Sequence, residues 1–597
     1  MADYIDTLIT NPEVIVTATQ QWIESNYVLL GTCAVGALAV AGGVGFGIGA
    51  LRDRLKAAAE ERKRFGGLPE AKMANLLRNP KLAYSGIPVG KIGRKYLCWI
   101  DQEPLLVTGG TRSGKGVGII RPAMLTYGGP IVAYDGGKGE LFRDTSGYRS
   151  RFSHVLNFDL TNPDGVHFNF LDEIDPANPV AGADMIATSV PKPSKSDGHF
   201  EPAADRLMGA VILHVLHGEP TDRKNMAEVV RLISQGDVGM RRIAGMNAHP
   251  IAVDRVTALF GGDVFAEGDD GSKYRQSVYN TALVRLSAFE DPVVAKVTSR
   301  SDFTMADIFR LSPSKRPVTL YLTTPANHDD RLRPVTSLFL SLLIGAIMRD
   351  QPALAGEPMT LLVIDEFASL RMEILQTAIT KIVGCGATML LGAQSLNALR
   401  QAPYGPYNQF RDNIRCHIAF AANDSTTQQD ISQSCGSISE HRTSKSSSRP
   451  AGSWQKSHSE TESEIDRPVI SPGKVRSMSD EKELIIITGQ PVIRANKIRD
   501  MKDPILKKRL KLPTAKMRDA NGVYPSLPCP TRPSPWAAVA VEKPKPFLAA
   551  KETTTAETPD GTIVAKSETP AFPAFELTAP PVKPRKRKLA LAPKGES

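Results

Sequence analysis

The sequence predicts an α/β protein built on a phosphate-binding loop. An all-helical insertion interrupts it, and an N-terminal membrane helix and a disordered C-terminal tail flank it. Three observations predict this. Residues 104–118 read Pro-Leu-Leu-Val-Thr-Gly-Gly-Thr-Arg-Ser-Gly-Lys-Gly-Val-Gly, an apolar run that breaks into a glycine-rich loop carrying one lysine. Residues 360–366, Thr-Leu-Leu-Val-Ile-Asp-Glu, are a second apolar run, ending in two carboxylates. From about 178 to 300, stretches such as Ala203–His217 and Ser277–Phe289 place apolar residues at helical spacing with few β-branched runs.

The chain of 597 residues is long enough for several domains, and 41% hydrophobic with 23% charged residues is ordinary for a globular protein. Its net charge of +10 fits an anionic partner, nucleic acid or anionic lipid, or a plain solvated surface. The cysteines Cys33, Cys98, Cys385, Cys416, Cys435 and Cys529 include no C-x-x-C pair. That spacing argues against a zinc site or disulfide scaffold and fits a reducing compartment.

The elements are read in order. Residues 1–26 carry Asp3, Asp6, Glu13 and Glu24 and no Lys or Arg. Residues 27–51 have no charged side chain and would reach about 37 Å as a helix at about 1.5 Å per residue, enough to span a bilayer. Arg52, Arg54, Lys56, Arg62, Lys63 and Arg64 follow, so the positive-inside bias places residues 1–26 outside and the C-terminal bulk in the cytoplasm of a single-pass protein. The G-x-x-x-G pairs Gly43/Gly47 and Gly45/Gly49 allow close contact between helices in lipid. Residues 52–85 read as a linker.

Residues 86–177 are the first part of the nucleotide-binding domain. Ile87–Ile92 and Tyr96–Ile100 suggest a hairpin, Leu105–Thr108 a strand, Val117–Tyr127 a helix and Pro130–Tyr134 a buried parallel strand ending at Asp135. After the all-alpha domain, 178–300, the second part spans 301–511. It contains strands at Val318–Thr323, Thr360–Ile364, Ala387–Leu391, Ile414–Ala421 and Glu483–Thr488, and an amphipathic helix at Pro334–Met348. Residues 439–463, rich in Ser, Thr, Lys and Glu, read as a solvated loop. Beyond 512 prolines and threonines dominate, and residues 512–597 are expected to be disordered. The basic run Lys583–Lys588 in that tail fits a nucleic-acid or membrane contact, or a solvated charge run.

From Gly109 the spacing is G-x-x-x-x-G-K, which wraps backbone N–H groups around phosphates. Gly109, Gly110, Thr111, Arg112, Ser113, Gly114, Lys115, Gly116 and Val117 are the expected nucleotide-binding set, with Lys115 neutralising the β- and γ-phosphates of ATP. Gly116 stands where a serine or threonine would bring a hydroxyl to Mg²⁺. Asp365 is the candidate Mg²⁺ ligand, and Glu366 the residue that orients and polarises the attacking water. Gln394, closing the apolar run Ala387–Ala393, is placed to sense the γ-phosphate or position water. No nucleophile triad or metal-ligand cluster accompanies these residues.

Together these segments resemble the type IV secretion system coupling proteins, the TraG/TraD-type ATPases of conjugative transfer, over roughly residues 85–500. The resemblance rests on Gly110–Gly118 with its glycine after the lysine, and on Val363-Ile-Asp-Glu-Phe367. Gly392-Ala-Gln-Ser-Leu396, and Ala422-Asn-Asp424 before a helix, add to it. It implies a RecA-like hexameric ring on the bacterial inner membrane with its all-alpha domain toward the cytoplasm. Such rings recruit a relaxase–DNA complex or secreted effector proteins and hand them to the secretion channel. Three departures stand out. Asp135-Gly-Gly-Lys138-Gly-Glu140 carries one residue more than the family's Asp-x-Lys-Gly-Glu, Val383 replaces a basic residue that is a candidate trans arginine finger, and one membrane span is found where many relatives have two. Lys381, Arg411 and Arg415 are alternatives for the missing cation. A chromosomal DNA translocase, or a nucleotide-gated receptor without sustained turnover, are the competing readings.

Overall fold

The computed structural model describes residues 70–71, residues 86–517 apart from short internal stretches, and residues 533–537. The expected N-terminus at 1–26, the membrane helix at 27–51 and residues 538–597 lie outside the described residues.

The strands are β1 (Glu70–Ala71), β2 (Ile87–Ile92), β3 (Lys95–Trp99), β4 (Leu105–Thr108), β5 (Ile131–Asp135), β6 (His154–Asp159) and β7 (Val318–Thr323). They continue with β8 (Thr360–Ile364), β9 (Ala387–Ala393), β10 (Cys416–Ala419), β11 (Ser437–Ser448), β12 (Ser457–Pro468), β13 (Lys482–Ile487) and β14 (Ile493–Asn496). All but β11 and β12 join one mixed sheet in the order β1-β3-β2-β14-β13-β10-β4-β9-β8-β5-β7-β6. The block from β10 to β6 is parallel, and the remaining strands add to it antiparallel. Strands β4, β5, β7, β8 and β9 are buried along their whole length, which explains why they read as unbroken apolar runs.

Successive side chains alternate between two cores. Leu105, Val107, Ile131, Ala133, Val363 and Leu390 face one side. Leu106, Val132, Leu156, Leu362 and Leu391 face the other, where the apolar core continues without a break into the helices between β6 and β7. Those helices include Pro179–Ser189, Glu201–Gly218, Met226–Ser234, Asp237–Met246, Pro250–Leu259 and Ser272–Leu286. Asn225 caps the third by accepting from the Glu228 amide. Arg285, fully buried, ties this region together through Glu201, Asp205 and the carbonyls of Ala187 and Val190. The helix Asp329–Asp350 starts earlier than expected and contains Pro334. It is long and apolar enough to cross a membrane, but Leu338, Phe339, Leu343 and Ile347 are buried against the sheet, as in a core helix.

Four expectations change. The helix expected at Val117–Tyr127 opens as a π-type turn at Gly116–Ile120 and is α-helical only over Arg121–Thr126, with Pro122 in its first turn. The loop expected at 439–463 is largely a two-stranded antiparallel ribbon, β11 with β12, pairing Ser437 with Pro468 through to Ser448 with Ser457. It has no apolar alternation to announce it; its backbone groups satisfy one another instead. Within the linker 52–85, Glu70–Ala71 pairs with β3.

The tail is the fourth correction, because 512–597 is not disordered throughout. Ala515 donates to Ser146 Oγ, Thr514 to the Arg143 carbonyl, and Gly147 leaves room for the Pro513 carbonyl. Further on, Trp536 is 1% exposed. Its Nε1 donates to the Ile174 carbonyl at 3.0 Å, and its own carbonyl accepts from Lys224 Nζ at 3.0 Å. Ser534 Oγ donates to Asp172 Oδ1, and the His217 ring meets the indole edge-on at 5.3 Å. One indole buries enough area to hold a short polar segment in place.

Two outcomes are expected. Trp536→Ala costs up to roughly 3–5 kcal/mol of local stability, read as faster amide exchange around Ile174 and Lys224; unchanged exchange there contradicts the docking. Burial pushes the Glu483 carboxyl on β13 up to about 8. Its folded pKa lies above the unfolded one, so its contribution is intact below the usual carboxylate range and is lost as pH rises through about 8. Glu483→Gln removes that loss, so its Tm advantage over the parent protein widens between pH 5 and 8.

Candidate functional site

The site lies at the carboxyl ends of the parallel strands. The loop 109–116 leaves β4, and its first amide, Gly109, donates to the Ala393 carbonyl at the end of β9 at 3.2 Å. A Cβ on Gly109 would lie 2.6 Å from Ser113 Oγ and 3.0 Å from Phe420, so any side chain there would force those neighbours to shift. Gly114 has φ +97° and Arg112 φ +63°, which curl the loop before Gly118 donates back to the Gly114 carbonyl at 2.7 Å. Lys115 is buried. Its Nζ folds across the loop, donating to the Gly109 carbonyl at 2.7 Å and standing 3.8 Å from Glu366 Oε2. A Cβ on Gly116 would meet nothing within 4 Å, so packing does not account for the absence of a hydroxyl-bearing side chain there.

Strand order supplies the acids. β9 lies between β4 and β8, pairing Thr108 with Ala393 and Ile364 with Leu391. Asp365 and Glu366 therefore emerge beside Gln394 and within reach of Lys115. Gly392 makes room: a Cβ there would stand 2.4 Å from Asp365 Oδ1. Burial raises the pKa of Asp365, with the Lys115 charge opposing, and its Oδ1 has no hydrogen-bond partner. Burial raises Glu366 as well, against the Lys115 charge. Glu366 sits at φ +57°, and its Oε1 accepts from the Gln394 amide at 3.3 Å.

Each predicted residue is thus placed. Gly109 to Val117, Asp365, Glu366 and Gln394 are brought together, with Thr111 and Arg112 exposed at the loop's apex. Lys138 lies outside the described residues, and Glu140 is exposed at the start of a helix. Val383 is half-buried against the core. Val383, Lys381 and Arg415 precede β9 and β10, at the opposite end of the sheet from this chain's own loop. The sequence reading missed Lys497, whose Nζ donates to the Ser113 carbonyl at 2.9 Å from a point 384 residues away. It also assigned no role to Asp135. That carboxyl, pushed up to about 6 by burial, accepts from the Leu141 amide at 2.7 Å beside the Asp365 charge.

A buried carboxylate oxygen with no partner, beside a lysine and a phosphate-type loop, fits a hard divalent cation such as Mg²⁺ held by Asp365. The profile of a family described as type IV secretory system conjugative DNA transfer matches residues 70–521. The chain belongs to that family. Among its relatives, the conjugal transfer protein TraG of Escherichia coli is 28% identical over 467 residues, covering 71% of each chain. Protein VirD4 of Rhizobium rhizogenes is 28% identical over 429 residues, covering 69% of this chain and 60% of its own. A solved structure of the plasmid coupling protein TrwB in complex with ADP and Mg²⁺ has the same fold at a TM-score of 0.52. It is 18% identical, covering 74% of this chain and 99% of that one. The α/β fold with its mixed sheet is thus shared with that solved structure.

Asp365→Asn should raise the Tm of the ligand-free protein at neutral pH, because a carboxyl with a raised folded pKa costs stability there. The same change should abolish the extra stabilisation that Mg²⁺ gives a bound nucleotide. A lowered ligand-free Tm would contradict the unpartnered, buried state of Asp365.

Proposed function

We propose that this protein is a membrane-anchored, ring-forming ATPase. It recruits DNA, as a relaxase–DNA complex, or protein substrates, and couples them to a type IV secretion channel through ATP binding and hydrolysis. The convergence of Lys115, Asp365, Glu366 and Gln394 at the carboxyl end of the central strands is the observation that carries the reading. Family membership supplies the transport context.

The loop amides and Lys115 bind the phosphates; Asp365 would hold Mg²⁺, which would supply charge neutralisation there. Glu366, at the end of β8, takes up the attacking water. Its contact with the Gln394 amide ties that position to the neighbouring strand. Lys115 leaves Gly109 and Glu366 for the incoming phosphates, which frees the Glu366 carboxylate to act on water. The cations at the opposite sheet end, Lys381 and Arg415, cannot serve this chain's own site, so a trans cation belongs to the neighbouring subunit's site in a homo-hexamer. The division at 86–177, 178–300 and 301–511 gives the helical domain the cargo-facing role, with residues 27–51 in the inner membrane, 1–26 outside, 52–85 as linker and 512–597 as tail.

Lys115→Ala should abolish nucleotide binding, and Glu366→Gln should keep binding while cutting turnover by at least about 100-fold. Both should abolish substrate transfer; transfer at the parental rate would sink the motor. Because the helical region shares its core with the sheet, surface changes such as Val238→Glu and Tyr274→Ala test the cargo role better than deletion. Recruitment should fall while ATP turnover persists.

A further inference from the structure

Four consecutive residues after β14 lie along the phosphate loop and the helix that follows it. Lys497 donates to the Ser113 carbonyl at 2.9 Å. The Ile498 carbonyl lies 3.5 Å from the place of a Cβ on Gly118, and an Arg499 guanidinium nitrogen 3.3 Å from that of Gly114. Asp500 Oδ2 pairs with Arg121 Nε at 2.7 Å. Lys497 is 3% exposed, and its ammonium stands 3.8 Å from the centre of the Phe420 ring, the same ring that packs on Gly109.

A buried ammonium is costly unless something anionic or strongly polar meets it. Here its direct contacts are one carbonyl and one ring face, with the Glu483, Asp480 and Glu481 carboxylates acting at longer range. The nearby Glu483 carboxyl is buried with neither oxygen hydrogen-bonded, and burial favours its neutral form. Burial lowers the Lys497 pKa as well, against the pull of the Glu483, Asp480 and Glu481 carboxylates, and an anion seated in the loop directly in front of it would favour the ammonium form. Geometry adds a second effect. In a planar trans peptide the C=O and the following N–H point in opposite directions, so holding the Ser113 carbonyl aims the Gly114 amide away from Lys497.

Resting on the nucleotide-binding reading above, we infer that Lys497 is a positioning residue for the phosphates: it sets the orientation of the Ser113–Gly114 peptide and places a buried positive charge behind the loop. Neither effect needs Lys497 to touch the ligand. Lys497 directly follows β14, which pairs with the antiparallel strands β13 and β2.

The test uses the full-length chain in detergent, with MgADP as the probe, and compares the parent with Lys497→Met, Lys497→Arg and Lys115→Ala. Lys497→Met keeps the stem against Phe420 and should raise the Kd for MgADP about tenfold, a charge-assisted hydrogen bond's worth, with a nearly unchanged ligand-free Tm. Lys497→Arg should restore most of the affinity. Parental affinity in Lys497→Met, with binding lost in Lys115→Ala, overturns the inference while leaving the nucleotide reading intact. Parental affinity in Lys115→Ala overturns both. A ligand-free Tm lowered as much as the ligand-bound Tm, with Kd unchanged, assigns Lys497 a purely structural role and also overturns the inference.

Discussion

The register of three parallel strands, β4, β9 and β8, is the constraint on which the rest depends. With Thr108 opposite Ala393 and Leu391 opposite Ile364, the chain ends its strands so that loop, glutamine and acids face one another. A shift of one residue would turn each strand's side chains to the opposite core. Both faces are buried and apolar, so it is the close packing of particular side chains in each core, not polarity, that opposes that shift. Packing far from the chemistry thereby fixes the chemistry's geometry.

The site also stores unfavourable electrostatics. Asp365, Glu366 and Asp135 stand close together in a poorly solvated corner, each raised above its ordinary pKa chiefly by burial. Lys115 is the cation that both Asp365 and Glu366 feel there, and it is itself committed to the Gly109 carbonyl. Such an arrangement is poorly satisfied until a cation and phosphates arrive, which is what a binding site for a metal-bound nucleotide requires.

Much of this was legible in the sequence, for a physical reason. Buried parallel strands must be apolar along their length, so β4, β5, β7, β8 and β9 announced themselves as runs, and the residues ending them stood out. Glycine at 109 and 114 was equally legible, because close approach and positive φ favour it. What escaped was whatever depends on distant pairing. The polar ribbon of β11 and β12 carries no hydrophobic period. Trp536 sits in a proline-rich setting that by composition reads as unstructured. Lys497 looks like any lysine among the charged residues near 500, and its role exists only once β14 is laid into the sheet.

That long-range lysine has a consequence for how the protein is made. Ser113 leaves the ribosome 384 residues before the side chain that grips its carbonyl. At about 5–20 residues per second, the interval is roughly 20–80 s. β10, which flanks β4, and the strands β13 and β14 beyond it are also late in the chain. During that interval the phosphate loop exists without its backing, and for most of it without its flanking strand β10 or Phe420. Completion of the site is a near-terminal event of synthesis, and a nascent or prematurely ended chain is denied a finished nucleotide pocket by its topology alone.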